Sequence, residues 1–243
     1  MPLSQKNKII RCAVVVGVGA SQGIGAAICR RFAKEGLLVY VVGRTESKLQ
    51  IIVDEICQQC GNAVVHKLND TNDLEVTLLF KSIKQKGQIL DVVVHIVGGS
   101  ASSYFLRTHL SCLKFMWQSA FVSGFLIGRE ATAIMSEQGH GSIIFTDTSI
   151  PLRDKSSSSV FTMGKSALRS YVLNLAKNCE SNNLNIVLDG MEDGDRIIKS
   201  LYSRSRFVKN RHGISELNDD VIAENYWKLY LQKLSYVSKK DKN

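Results

Sequence analysis

Three glycines at fixed spacing carry the clearest chemistry in this chain. Gly19, Gly23 and Gly25 stand in the run Gly19-Ala20-Ser21-Gln22-Gly23-Ile24-Gly25, after an apolar stretch over 12–18 and before an amphipathic one over 24–34. A strand, a glycine turn and a helix in that order make a site for a dinucleotide pyrophosphate. Gly19 permits the tight turn, Gly23 lets the backbone approach the phosphates, and Gly25 lets the helix pack close to the sheet. N–H groups at the helix start, with Ser21 and Ile24 beside them, then face the negative charge. The Gly-x-Gly-x-x-Gly spacing of other dinucleotide folds would need glycine at position 22, which is Gln22. Glycine loops also occur as plain strand–helix turns, and the surrounding alternation of elements argues against that reading.

A second strand ends Val41-Val42-Gly43-Arg44-Thr45. A site selecting NAD places a carboxylate here to hold the ribose 2′-hydroxyl. Gly43 occupies that position and Arg44 follows, which suits a 2′-phosphate through charge-assisted hydrogen bonds. NADP(H) is the expected cofactor, with Thr45 as an extra donor. The plainer alternative makes Arg44 a surface residue of the next turn.

Such residues need a scaffold. Apolar runs predict strands over 12–18, 37–42, 63–68, 90–97, 142–146 and 184–188. Helical patterns over 24–34, 46–60, 74–84, 111–135, 160–178 and 219–231 alternate with them, and 189–214 reads as a polar, basic lid. This alternation predicts one α/β domain over 9–237, a doubly wound parallel sheet between two helical layers, with flexible tails at 1–8 and 238–243. Six strands are expected before seven.

At 243 residues and 44% hydrophobic content the chain can bury a full core. No consecutive apolar run reaches the roughly 18 residues of a membrane span. The first residues are polar and basic, unlike a leader, and the last match no retention or peroxisomal ending. A cytoplasmic protein with no membrane partner is expected. Six scattered cysteines should then be reduced. Cys57 and Cys60 have the spacing of a redox pair or half a zinc site, but no second pair completes one, so packing and helix-end roles are expected and no metal. The net charge of +9 is dispersed, apart from Lys199, Arg204, Arg206, Lys209 and Arg211 and a short tail, and no nucleic-acid motif accompanies it. No specific nucleic acid is expected. An extra phosphate on the cofactor, an anionic substrate or a solvated basic face accounts for the charge.

Farther on, Lys165 lies four residues after Phe161 in Val160-Phe161-Thr162-Met163-Gly164-Lys165-Ser166-Ala167. With the glycine loop, this resembles the short-chain dehydrogenase/reductase family over approximately 9–231, with phenylalanine where the family has its catalytic tyrosine. The resemblance implies a Rossmann-type three-layer sandwich. It implies that Lys165 holds the nicotinamide ribose and that Thr148, thirteen positions before Phe161, orients a substrate carbonyl. A lysine on an amphipathic helix is otherwise a solvated one. The family's acidic residue near adenine falls at Asn69, with the carboxylate displaced to Asp70, and Gly98 keeps the one glycine of the Asn-Asn-Ala-Gly segment. His95, in that segment, reads as a hydrogen-bonded structural residue. The family's asparagine falls near Ala120, and its Pro-Gly becomes Asp189-Gly190. Pairing through the long helices implies a homodimer before a tetramer, with Ala120, Gly124 and Gly128 as close-approach positions. Val221 to Trp227 resembles a Tyr-Trp C-terminal helix of some bacterial relatives.

Phe161 has no proton to give, and losing a placed general acid costs about 10²–10⁴-fold in rate. Thr148, Ser149, the serines at 156–159, Tyr104 and His95 are the candidates to replace it. Enoyl-reductase relatives place tyrosine six residues before the lysine, here Ser159, while dienoyl-CoA reductase relatives keep the lysine without this tyrosine. Two functions follow. One is a divergent NADP(H)-dependent oxidoreductase acting on a small carbonyl, alcohol or enoyl substrate. The other is an NADP(H)-binding sensor or partner subunit without turnover.

Overall fold

A computed structural model describes residues 9–96, 109–149, 159–192, 197–200 and 219–240. Strands β1 (Arg11–Val16), β2 (Leu38–Gly43), β3 (Asn62–Lys67), β4 (Ile89–His95), β5 (Gly141–Ser149) and β6 (Leu184–Glu192) are parallel, and β7 (Ile197–Ser200) is antiparallel to β6. Their order is β3-β2-β1-β4-β5-β6-β7. The order reverses between β1 and β4, the place where a parallel sheet opens a crevice at its carboxyl ends.

Helices α1 (Ile24–Lys34), α2 (Glu46–Gln58) and α7 (Asp219–Lys240) cover one face of the sheet. There Ala13, Val15, Val39, Val41, Val92 and Val94 pack beneath Ile28, Phe32, Ile52 and Tyr226. Helices α3 (Asp73–Gln85), α5 (Ser123–Gln138) and α6 (Ser159–Asn178) cover the other, over Val14, Val16, Val42, Val93 and Phe145. Burial on both faces is why the central strands read as unbroken apolar runs. The Tyr-Trp segment of α7 sits on α1: Tyr226 is fully buried, and the Trp227 ring lies 5.8 Å from that of Phe32 with the Arg31 guanidinium over it.

Three expectations need correction. The basic segment after 188 is not all lid, because β6 continues to Glu192 and Ile197–Ser200 adds the antiparallel edge. A four-residue strand set among charges leaves no periodic signal. The helix expected to stop at 231 runs on to Lys240. The helix expected over 111–135 is three pieces: α4 (Leu110–Trp117), a π-helical turn (Gln118–Val122) and α5. By length and composition this continuous span, Leu110–Gln138, is apolar enough to cross a membrane. Ser, Gln and Gly punctuate the span, so it contains no long uninterrupted apolar run. Its Leu126, Ile127, Ala131 and Met135 pack into the layer above the sheet, as in a core helix.

Candidate functional site

The glycine loop joins β1 to α1 at the crevice. Gly17 and Val18 both donate to the Val42 carbonyl, at 3.1 and 3.0 Å, so the loop leaves the sheet close to β2. Gly23 closes the turn on Ala20 O at 3.0 Å and caps α1 with extended backbone, no side-chain acceptor and no acidic residue in the first turn. The first N–H groups of α1 are therefore open to an anion. A Cβ on Gly25 would come 3.3 Å from Val18 Cα, the helix–strand closeness expected of that glycine. Gly19 is different. A Cβ there would meet nothing within 4 Å, and its φ lies outside the left-handed region. Nothing among the described residues requires glycine at 19, and the space above the loop is open to a passing group. The residues present fit a dinucleotide pyrophosphate.

Ser21, expected beside the phosphates, instead donates its hydroxyl to Glu55 Oε1 at 2.7 Å, and Arg30 braces that carboxylate at 2.9 Å and Ser21 O at 3.0 Å. Only its backbone remains for a ligand. At the end of β2, a Cβ on Gly43 would overlap the Val18 carbonyl oxygen. No carboxylate can stand there. Arg44 opens instead onto a cleft of about 650 Å³, which Lys67, Asn69, Asp70 and Phe115 also line. Lys67 escaped sequence reasoning. The β2–β3 register sets it opposite Gly43, and that pairing was its available signal. Asn69 spends its side-chain oxygen on Thr71, at 3.3 Å to N and 2.8 Å to Oγ1. Two carboxylates line the cleft: Glu75 accepts from Asn69 N at 2.8 Å and from Asn72 Nδ2 at 3.0 Å, and Asp70 Oδ2 accepts from Ser123 Oγ at 2.6 Å.

The other end of the crevice lies over β4, β5 and β6. Lys165, 2% exposed, donates from Nζ to Thr146 O at 2.9 Å. Thr146 donates from Oγ1 to His95 O at 3.2 Å, and buried Asp189 is the register partner of Thr146 on β6. His95 is buried, and its Nε2 lies 2.8 Å from Ser123 Oγ. Burial, then the nearby Lys165 charge, lowers its pKa to about 3, so the ring is neutral and offers no acid at neutral pH. Thr148 sits in β5 opposite Met191, and Phe161 in the first turn of α6, with both side chains outside the described set. Gly98, Tyr104 and the serines at 156–158 lie outside the described residues.

Ala120 lies in the π turn, nearly fully buried, and a Cβ on Gly164 would come 2.7 Å from its own. Helix α6 therefore approaches the π turn at close range. Gly124 and Gly128 face inward as well: added Cβ atoms would meet Leu168 Cδ1 at 2.5 Å and Tyr171 OH at 2.8 Å. This corrects the expectation that these small residues serve subunit contact, since they let α5 approach α6 within the chain. The outer face carries Phe115, Trp117, Phe125, Met163 and Leu173, each more than a third exposed.

Comparison with known proteins agrees with this architecture. The sequence pattern of the short chain dehydrogenase family matches residues 13–191. A 3alpha-hydroxysteroid dehydrogenase of Mediterraneibacter gnavus is 23% identical over 198 residues, 79% of this chain and 76% of that one. An uncharacterized oxidoreductase of Staphylococcus aureus is 26% identical over 182 residues, 74% of this chain and 78% of that one. Among solved structures, a short-chain dehydrogenase from Rhodopseudomonas palustris superposes with a TM-score of 0.74 at 27% identity, covering 90% and 91% of the two chains. A metagenomic short-chain oxidoreductase in complex with NADP shares the fold at 18% identity, with a TM-score of 0.72 over 90% of each chain. With its glycine loop, its strand order and a family match across most of its length, the chain belongs to the short-chain dehydrogenase family.

Proposed function

We propose that this protein is an NADP(H)-dependent oxidoreductase that moves hydride to or from a small carbonyl, alcohol or enoyl compound. Lys165 carries the proposal. Burying an ammonium costs several kcal/mol unless it is well held. A chain that only packed its core would not keep one 2% exposed at the end of the crevice opposite Arg44. Bound NADP(H) supplies or accepts the hydride. Arg44 and Lys67 receive the 2′-phosphate, where Gly43 leaves no room for a competing carboxylate. The open first turn of α1 receives the pyrophosphate. The backbone of Ser21 and Ile24 lines the path and Lys165 holds the ribose, while the family resemblance alone assigns Gly98 to the cofactor and Thr148 to the substrate oxygen.

The second reading, an NADP(H)-binding sensor or partner subunit without turnover, is favoured by Phe161 and Ala120 together. One has no proton to donate, and the other is pressed against Gly164. NADPH oxidation across ketones, aldehydes and enoyl thioesters separates the two. We expect turnover in the wild type and its loss in Lys165→Ala. Turnover only in Phe161→Tyr, by about 10²-fold or more, would instead establish the binding protein. The exposed apolar face of α4, α5 and α6 suits a homodimer, and a monomeric mass in sedimentation at micromolar concentration would exclude it. A cytoplasmic setting accords with the six free cysteines.

A further inference from the structure

We infer that Cys57 and Cys60 form a redox modification site, an exposed dithiol that low-molecular-weight disulfides such as oxidised glutathione convert to an intramolecular disulfide. The site lies where α2 gives way to β3 and stands apart from the dinucleotide reading above.

Packing is the role expected of these cysteines, yet both residues are exposed, whereas Cys12, Cys29 and Cys179 are buried and Cys112 is partly covered. The helix-end role holds for Cys60. Its N–H donates to Cys57 O at 3.0 Å, and Gly61 N donates to Ile56 O at 3.0 Å, the two closing bonds of a helix that ends on a left-handed residue. That residue is Cys60, with a φ of 61°. Helices α1, α3 and α5 instead have Gly36, Gly87 and Gly139 at positive φ at their ends. Glycine enters this region without steric cost and cysteine does not. Neither packing nor backbone preference accounts for a thiol at this turn.

The turn brings the two cysteines within bridging range. A bond from Cys60 N to Cys57 O holds their Cα atoms less than about 7 Å apart, and a disulfide spans about 4.4–6.8 Å. The turn is also held in place, since a Cβ on Gly61 would come 2.8 Å from Ile56 Cγ2 and 3.2 Å from Ala33 Cβ. One thiolate attacks a sulfur of the small disulfide, expels one thiol and leaves a mixed disulfide on the protein. The second cysteine attacks the protein sulfur of that bond and expels the other thiol. Two protein thiols are thereby oxidised, and one small disulfide is reduced to two thiols. The negative end of the α2 dipole disfavours thiolates, unlike the start of a helix, so the disulfide is the stable partner once formed. Burial, with the Asp91 charge, pushes the Cys12 thiol up to about 12 and burial raises that of Cys29 as well, which leaves the exposed pair ahead of them in reactivity. Among the described residues no group of three or more His, Cys, Asp or Glu could hold a metal, so the pair lacks the four ligands of a closed zinc site.

Equilibration of the full chain with mixtures of reduced and oxidised glutathione, followed by alkylation and mass measurement, tests this. In excess oxidised glutathione the wild type should lose two alkylatable thiols and the mass of two hydrogens, both within the tryptic peptide 49–67 that contains Cys57 and Cys60. Dithiothreitol should restore them. Cys57→Ser and Cys60→Ser should each stop at the mixed disulfide and retain glutathione at roughly tenfold or more the wild-type level. Cys60→Gly, which suits the left-handed position, repeats the measurement where Cys60→Ser does not fold. Phenylarsine oxide, which bridges two thiols with loss of water, should bind the wild type one to one and each single variant roughly tenfold more weakly or worse. Two thiols left free in excess oxidised glutathione overturn the inference. So does a wild type that keeps glutathione on Cys57 or Cys60, or a thiol loss that maps to Cys112 instead.

Discussion

The two ends of the crevice differ in what their glycines and alanines are for. Over β1, β2 and β3, Gly19 faces open space and the first turn of α1 carries no acidic residue, while Arg44 and Lys67 line an open cleft. Over β4, β5 and β6, Ala120, Gly124, Gly128 and Gly164 are consumed by packing between α5, α6 and the π turn. Lys165 remains there as a buried cation tied to Thr146 O. A small residue thus faces open space at one end and a neighbouring helix at the other. The β1–β3 end keeps an open helix start and two cations at its cleft. The β4–β6 end keeps the buried lysine, with Ala120 pressed against Gly164.

The largest expected effect lies at the open end. Replacing Arg44 with aspartate puts a carboxylate beside Gly43 and should swing the NADP-to-NAD affinity ratio by about 10²-fold or more. Titration of both nucleotides measures it, and an unchanged ratio would remove Arg44 from the site. Next comes the packed end, through His95. Its pKa is lowered from 6.5 to about 3, so the unfolded chain takes up a proton that the folded chain refuses between those values. The stabilisation is whole above pH 6.5 and is lost as pH falls through that window, at about 1.4 kcal/mol per pH unit. Urea unfolding should therefore show a loss of about 2 kcal/mol from this group between pH 7 and pH 5. His95→Gln should lack that part of the slope, and parallel slopes would mean the ring is not buried neutral.

The smallest effect sharpens the contrast most. Gly19→Ala should leave the urea midpoint nearly unchanged yet weaken NADPH binding by roughly tenfold, because its Cβ projects only into ligand space. Gly43→Ala should instead destabilise the fold by about 1–3 kcal/mol, through overlap with Val18 O. If the two behave alike, the distinction between ligand-facing and packing glycines is wrong.

Much of the fold was legible because burial on two faces writes itself into local composition. The apolar runs of β1 and β4 and the 3.6-residue spacing of α1 each lie within a short window. The glycine loop was legible for the same reason, since its spacing, its strand and its helix are contiguous. Less was legible where contacts span the chain. Lys67 drew no notice because its relation to Arg44 exists only through the β2–β3 register. Ser123 looked like any small helical residue, and its partner Asp70 is 53 positions away. Gly124 and Gly128 carried the pattern of a close helix contact but not the identity of the helix contacted, which proved to be α6.

By itself the sequence determined the layering of the sandwich, the glycine loop and the absence of a carboxylate at Gly43. Each is a property of residue type or of spacing along a few turns of chain. Only the tertiary structure decided which polar groups face the cleft and which are spent elsewhere. Ser21 turns to Glu55, Asn69 to Thr71, and Asp70 is held by a buried serine and histidine. The physical reason is that a hydrogen bond has a direction and a length. Strand register and helix approach set both across separations that no local window contains.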